Sequence, residues 1–104
     1  MLNKNDFLNL HMQKAPARVF ITSLNDEVEI RALNISELET FIKLTNDEKT
    51  KLDAIFYVVS TCCVNPSFTA DELKILNATA FKIIDEIATK ILNISQETST
   101  LTPR

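Results

Sequence analysis

Residues 18–33 have the sequence RVFITSLNDEVEIRAL, and this stretch decides the fold class of the chain. Its first six residues are rich in β-branched and aromatic side chains, which favour strands. Its last six alternate apolar with polar side chains, the period of a strand with one buried face. Asn25-Asp26 lies between these runs, and Asn and Asp tolerate a positive φ better than other non-glycine residues. We therefore predict a β-hairpin that turns at Asn25-Asp26 and has one apolar face.

The sequence on both sides of the hairpin predicts helices. A lone hairpin is only marginally stable in water, so its apolar face needs such a cover. A short helix is predicted over residues 5–13, before Pro16 breaks it. The last helix is predicted over about residues 79–93, where apolar side chains recur at helical spacing.

Three S/T-x-x-E patterns predict the helices between these two. In this pattern the side chains satisfy free amides at a helix start. The patterns begin at Ser36, Thr45 and Thr69, and the second opens the central helix, whose apolar face runs on to Cys62-Cys63. The predicted fold is therefore α+β and mostly helical. One β-hairpin is covered by about four to five short helices, in the order α-β-β-α-α-α-α.

The composition predicts one compact domain. The chain has 104 residues, with 45% apolar and 24% charged residues, which is ordinary globular usage. Residues 1–94 are predicted to form the domain, and residues 95–104, which are polar and rich in Thr and Ser, a disordered tail. No apolar run approaches the ~20 residues that span a bilayer, and the first residues lack the order of a signal peptide. We expect a cytoplasmic protein with no membrane partner.

Charge and glycine content exclude several classes of function. The formal net charge is −3 and the basic residues are scattered, whereas nucleic-acid binders carry a basic patch that neutralises phosphates. The chain has no glycine, so it contains neither a P-loop nor a dinucleotide-binding fingerprint. We expect no nucleic-acid partner and no nucleotide cofactor.

The reactive side chains do not form a catalytic or metal-binding set. His11 is the only histidine, and its possible co-ligands are two adjacent cysteines, whereas a metal site needs three or four converging ligands. Cys62-Cys63 cannot easily form a disulfide with each other, and they fit the pattern of small buried hydrophobic residues in a reducing compartment. Asp85/Glu86 falls on the polar arc of the last helix and is interpreted as a solvated face. We predict no enzyme, no catalytic or metal-binding residue and no cofactor.

The last helix is the most informative segment for binding. Its apolar residues span an arc of roughly 180° at helical spacing, which is wide for a surface helix. Either the core of the domain covers the whole arc, or one edge is left for another chain. The edge formed by Ile83, Ile87 and Ile94 is the candidate partner-binding site.

Two stretches carry a family resemblance. VEIRAL at residues 28–33 leads to Ser36 and Glu37, and the turn and helix NPSFTADELKIL occupies residues 65–76. With the flanking helices and the polar tail, this order resembles the tail assembly chaperones of long-tailed bacteriophages. These are the small proteins encoded just before the tape measure protein. The resemblance covers roughly residues 2–96.

The resemblance implies a function without catalysis. Proteins of that family bind the tape measure protein, recruit tail tube subunits as the tube polymerises, and leave the mature tail. It implies action in the host cytoplasm and self-association through apolar helix edges when no client is present. Many members also have a longer, frameshifted form, which a protein sequence cannot reveal. The alternative is a small phage or bacterial regulatory protein that inhibits or docks on a host protein.

Overall fold

A computed structural model of the chain describes residues 3–11 and 16–96, without the side chains of residues 7 and 9–11. The strands are β1 (Ala17–Ile21), β2 (Asp26–Ile30) and β3 (Cys63–Asn65). The helices are α1 (Lys4–His11), α2 (Ile35–Asn46), α3 (Lys51–Cys62), α4 (Ala70–Lys74) and α5 (Phe81–Ser95). A single 3₁₀ turn at Ala78–Ala80 leads into α5. The predicted fold class, α+β and mostly helical with a hairpin, is confirmed.

The hairpin forms in the predicted segment, but its turn occupies residues 22–25 rather than Asn25-Asp26, because Asp26 already pairs with Ile21 in the second strand. β1 and β2 are antiparallel with Val19 opposite Val28, and Asn25 takes a φ of 57°, the left-handed conformation expected of an Asn in a turn without glycine. Alternate residues of the hairpin, Ile21, Val28 and Ile30, are buried. The opposite face of these strands, which carries Phe20, is exposed.

A third strand extends the hairpin and was not predicted. The helical prediction continued through Cys63, but α3 ends at Cys62 and the chain then pairs antiparallel with β2, placing Cys63 opposite Ile30. The main-chain amide of Arg31 donates to the carbonyl of Cys62 at 2.9 Å, which joins the end of α3 to the end of β2. The main-chain groups of residues 63–65 therefore find hydrogen-bond partners on the edge of β2, instead of within a longer α3.

The core lies between the apolar face of the sheet and the helices α3 and α5. Its buried residues come from β1, β2, β3, α3, α4 and α5: Ile21, Val28, Ile30, Val58, Val59, Cys62, Cys63, Leu73, Ile84, Ile87, Ala88 and Ile91. The prediction that the two cysteines are buried is confirmed. Because α3 and α5 are apolar over wide arcs, each can contact both the sheet and the other helix.

Only one of the three predicted caps has the predicted position. Thr69 caps α4, with its hydroxyl accepting from the Glu72 amide at 3.1 Å. The α2 cap is Asn34 rather than Ser36: its side chain accepts from the Glu37 amide at 2.8 Å, and the Glu37 carboxylate accepts from the Asn34 amide. The prediction at Thr45 was wrong, because α2 continues through Thr45 and α3 begins at Lys51.

The domain extends slightly beyond the predicted boundary at residue 94. Ser95 is the last residue of α5, and its hydroxyl accepts from the Leu33 amide at 2.9 Å while donating to the Ile91 carbonyl at 2.8 Å. The end of α5 is thereby held beside the segment that leads into α2. Of the predicted disordered tail, residues 97–104 lie outside the described part of the chain.

Glu86 joins α5 to the hairpin turn, which corrects its interpretation as part of a solvated face. Its carboxylate accepts from the Ser23 hydroxyl at 2.7 Å, from the Ser23 amide at 2.9 Å and from the Thr22 amide at 2.7 Å. These hydrogen bonds, with those from Ser23 the strongest, lower the pKa of Glu86 to about 2 from the ordinary 4.5. The ionised carboxylate therefore orients the turn relative to α5.

Replacing Glu86 with glutamine is expected to reduce the acid sensitivity of the fold. Because the pKa of Glu86 is lower in the folded state, its contribution is fully present above about pH 4.5 and is lost as the pH falls towards about 2. Melting temperatures measured across that range should fall less steeply for Glu86→Gln than for the unmodified protein. Asp85→Asn removes a neighbouring carboxylate that has no bond to the turn, and it should keep the unmodified slope. Equal slopes for all three proteins would contradict this assignment.

Candidate protein-binding surfaces

The predicted partner-binding edge of α5 is not an exposed edge. Ile87 is 3% exposed and belongs to the buried core, and Ile83 and Ile94 are partly buried and pack against it. The physical reason is that α5 packs on α3 and also on β1, so the sheet covers the side of the helix that the sequence left open. The structure therefore favours the alternative in which the domain covers the arc of α5.

Unpaired apolar surface lies instead on α2. No residue of α2 is buried: Phe41 and Leu44 are half-buried, on the side that packs on α3. Ile35, Leu38 and Ile42 are exposed, at 86%, 39% and 48%. Their spacing of three and four residues places them along one line of the helix. We call Ile35, Leu38 and Ile42 the α2 edge.

The position of α2 is set by a charged contact at its first turn. The two guanidinium nitrogens of Arg31 each donate to one carboxylate oxygen of Glu37 at 2.9 Å, and one of them also donates to the Thr61 carbonyl at 2.9 Å. Hydrogen bonding to Arg31 lowers the pKa of Glu37, so the pair stays charged. A bidentate pair fixes orientation as well as distance, and α2 is therefore held with its edge facing away from the core.

A small apolar cavity lies where α3, α4 and α5 meet. Its volume is about 210 Å³, and we call it the α4–α5 cavity. The lining consists of mostly apolar side chains: Phe56, Leu73, Lys74, Leu76, Asn77, Ala78, Phe81 and Ile84. The Phe56 and Phe81 rings meet edge to face, with centroids 6.4 Å apart and an interplanar angle of 81°. This geometry is favourable for aromatic pairs and gives the cavity a fixed wall.

Exposed apolar side chains lie beside this cavity. Ile75 and Leu76 directly follow α4 and are 84% and 47% exposed. The cavity is smaller than the roughly 300–1,000 Å³ of small-molecule sites, and it lacks the several convergent polar groups that orient a ligand. Its size and lining suit one apolar side chain of a protein partner.

A second concavity, of about 220 Å³, is polar. It lies at the hairpin and is lined by Arg18, Asp26, Glu27, Val28, Glu29 and Asn65. Arg18 and Glu27 form an exposed ion pair at 3.9 Å. Within residues 3–11 and 16–96, no group of three or more His, Cys, Asp or Glu side chains is arranged to hold a metal ion.

The cysteines have the properties of core residues. Burial raises the pKa of Cys62 and of Cys63 to about 11, so both are neutral thiols at physiological pH. A nucleophilic cysteine needs the opposite shift. His11 is the last residue of α1, and its side chain lies outside the described part of the chain.

Comparison with protein families, with curated proteins and with solved structures finds no match to this chain. Among the described helices, none combines the length and the apolar content that crossing a bilayer requires.

Proposed function

We propose that this protein is a bacteriophage tail assembly chaperone that binds apolar helical segments of the tape measure protein and recruits tail tube subunits. The observation that carries the proposal is the α4–α5 cavity, an apolar concavity beside the exposed Ile75 and Leu76. Protein surfaces that bind amphipathic helices have such apolar concavities, which accept anchors spaced by three or four residues. The function is therefore binding without catalysis.

The resemblance in sequence supports the choice of client. The second stretch that carries it, residues 65–76, includes Leu73, Lys74 and Leu76, which form one wall of the cavity. The resemblance and the concave apolar surface thus fall on the same segment.

The cavity also suggests how a client would be held and released. One apolar anchor of a client helix would enter between Leu73 and Phe81, and a neighbouring anchor would cover Leu76. Burying this apolar surface contributes about 25 cal/mol per Å², so a contact of one or two anchors is modest in strength. A modest contact suits a chaperone, because the client must later be transferred to the growing tail.

Replacing Leu76 with lysine is expected to weaken client binding about tenfold or more, since a buried apolar anchor is worth roughly 1–2 kcal/mol. The matched control is Leu24→Lys, which makes the same change at a similarly exposed leucine in the hairpin turn. Each protein would be co-expressed with tape measure fragments from the same phage genome, and affinity would be measured by calorimetry. Thermal melts of both variants would verify that they fold.

Three results bear on the proposal. Loss of binding by Leu76→Lys and retention by Leu24→Lys would support it. Equal affinities of the two variants would remove the cavity from the interface. No binding of any tape measure fragment, together with a host protein that co-purifies through Leu76, would favour the regulatory alternative.

A further inference from the structure

We infer that the α4–α5 cavity is a site for one aromatic ring, and that the client side chain which enters it is a phenylalanine. The inference rests on the proposed function for the source of that side chain. The preference of the cavity for a ring depends only on its own lining, so it is open to test without a client. Such a site selects one kind of apolar residue in a client helix.

The cavity has an apolar floor and a more polar mouth. Leu73 and Ile84 are 2% and 4% exposed, so they form the floor. Lys74 and Asn77 are exposed and therefore lie at the mouth. The ammonium of Lys74 is already paired with the Asp53 carboxylate at 3.3 Å. A side chain that enters from a client thus meets an uncharged, apolar floor with its tip.

The walls of the cavity favour an aromatic ring. Phe56 and Phe81 are half-buried and both line the cavity, so part of each ring faces an entering side chain. Aromatic rings prefer to meet edge to face or offset, with centroids about 4.5–7 Å apart, and such pairs are worth more than the burial of their area alone. A third ring in the cavity would meet both walls in this way. A leucine of the client would bury apolar surface without these contacts.

The volume of the cavity suits a single ring. An apolar cavity of about 150 Å³ lined by leucine, isoleucine and phenylalanine side chains is large enough to bind benzene. The α4–α5 cavity has these same kinds of side chain in its lining and a volume of about 210 Å³. It therefore has room for one benzene-sized ring and for the methylene group that joins the ring to a main chain.

The floor selects phenylalanine over tyrosine. A tyrosine would enter with its hydroxyl foremost, and the floor residues Leu73 and Ile84 have no hydrogen-bonding side chain to receive it. The polar side chains of the lining, Lys74 and Asn77, lie at the mouth instead. Burying a hydroxyl without a hydrogen-bond partner is costly, so the ring that fits best carries no polar tip.

Toluene and phenol are the probes that test the cavity, with the full chain alone in solution. Toluene is expected to shift the methyl resonances of Leu73 and Ile84 in NMR spectra, and phenol should bind about tenfold more weakly. Ala78→Leu adds a side chain at an exposed position of the lining and should abolish the toluene shifts. Ala17→Leu makes the same change at an exposed alanine of β1 and should retain them. Thermal melts would verify that both variants fold.

An unmodified protein without these shifts would overturn the inference. Equal affinities for toluene and phenol, or shifts that persist in Ala78→Leu, would overturn it as well.

A tape measure fragment that binds the protein tests the choice of phenylalanine. Each phenylalanine of the fragment would be replaced in turn, and affinity measured by calorimetry. At the anchor, replacement by leucine should weaken binding about fivefold, through loss of the ring contacts. Replacement by tyrosine should weaken it about tenfold. A fragment whose affinity is unchanged by replacement of every phenylalanine would contradict the assignment.

The two experiments separate this inference from the proposed function. Toluene binding at Leu73 and Ile84, with no binding of any tape measure fragment, would support the ring site and count against the proposed function. Fragment binding that depends on Leu76, with no binding of toluene, would support the proposed function and overturn the ring site.

Discussion

Replacing Ile87 with alanine is expected to lower the free energy of unfolding by about 2–5 kcal/mol, because the substitution leaves a cavity in a packed core. Ile87 is 3% exposed and lies among buried residues of the sheet, α3 and α5. Urea denaturation followed by circular dichroism would measure the change, with the slope of the transition checked for two-state behaviour.

Ile75→Ala is the matched control, since Ile75 is exposed and its truncation should change stability little. A loss below about 1 kcal/mol at Ile87 would mean that this part of α5 is not enclosed by the domain. The edge of α5 that the sequence marked for a partner would then again be the first candidate for binding.

Replacing Arg31 with leucine is expected to cost about 2–4 kcal/mol, because it leaves the Glu37 carboxylate, which is largely shielded from water, without its charged partner. It also removes the hydrogen bond from the guanidinium to the Thr61 carbonyl. Arg31→Lys keeps the charge without the bidentate geometry. Its free energy of unfolding, measured in denaturant melts, should lie between those of the unmodified protein and Arg31→Leu.

The same substitution has a consequence for pH dependence. The pKa of Glu37 is lowered in the folded protein, so the pair contributes fully above the ordinary carboxyl pKa, and the contribution is lost on acidification. Arg31→Leu should therefore show less additional loss of stability in acid than the unmodified protein does. An undiminished acid dependence would show that the contact between Arg31 and Glu37 does not hold α2 in solution.

The sequence predicted those parts of the fold that depend on interactions between residues close together in the chain. The positive φ of Asn25, the cap at Thr69 and the alternation of Val28 and Ile30 each depend on a few neighbouring residues, and the structure has them where the sequence predicts them. The turn itself ends at Asn25, since Asp26 already belongs to β2. The α2 cap lies two residues before its predicted position because Asn34 and Glu37 form an equivalent pair.

Features that depend on distant contacts could not be predicted in this way. The β3 strand is three residues long and continues an apolar helical pattern, so only its pairing with β2 distinguishes it. Glu86 has its partners 63 and 64 residues away, and nothing in its neighbourhood indicates them.

Which apolar surfaces stay exposed also depends on contacts between residues distant in the sequence. The apolar arc of α5 is wide, but α3 and the sheet cover it, whereas α2 packs mainly on α3 and keeps Ile35 exposed. The identity of an exposed edge therefore depends on which elements pack around it, and the sequence of the helix alone does not contain that information.

The hydrogen bond between Ser95 and Leu33 determines where a spectroscopic reporter can be placed. Because this bond holds the end of α5 beside the start of α2, a fluorophore on a cysteine introduced at the exposed Asn93 would mark the beginning of α2. The dye would react there in preference to Cys62 and Cys63, which are buried and have pKa values of about 11. The fluorescence of that dye would thus report whether the end of α5 stays beside the start of α2 as the domain unfolds.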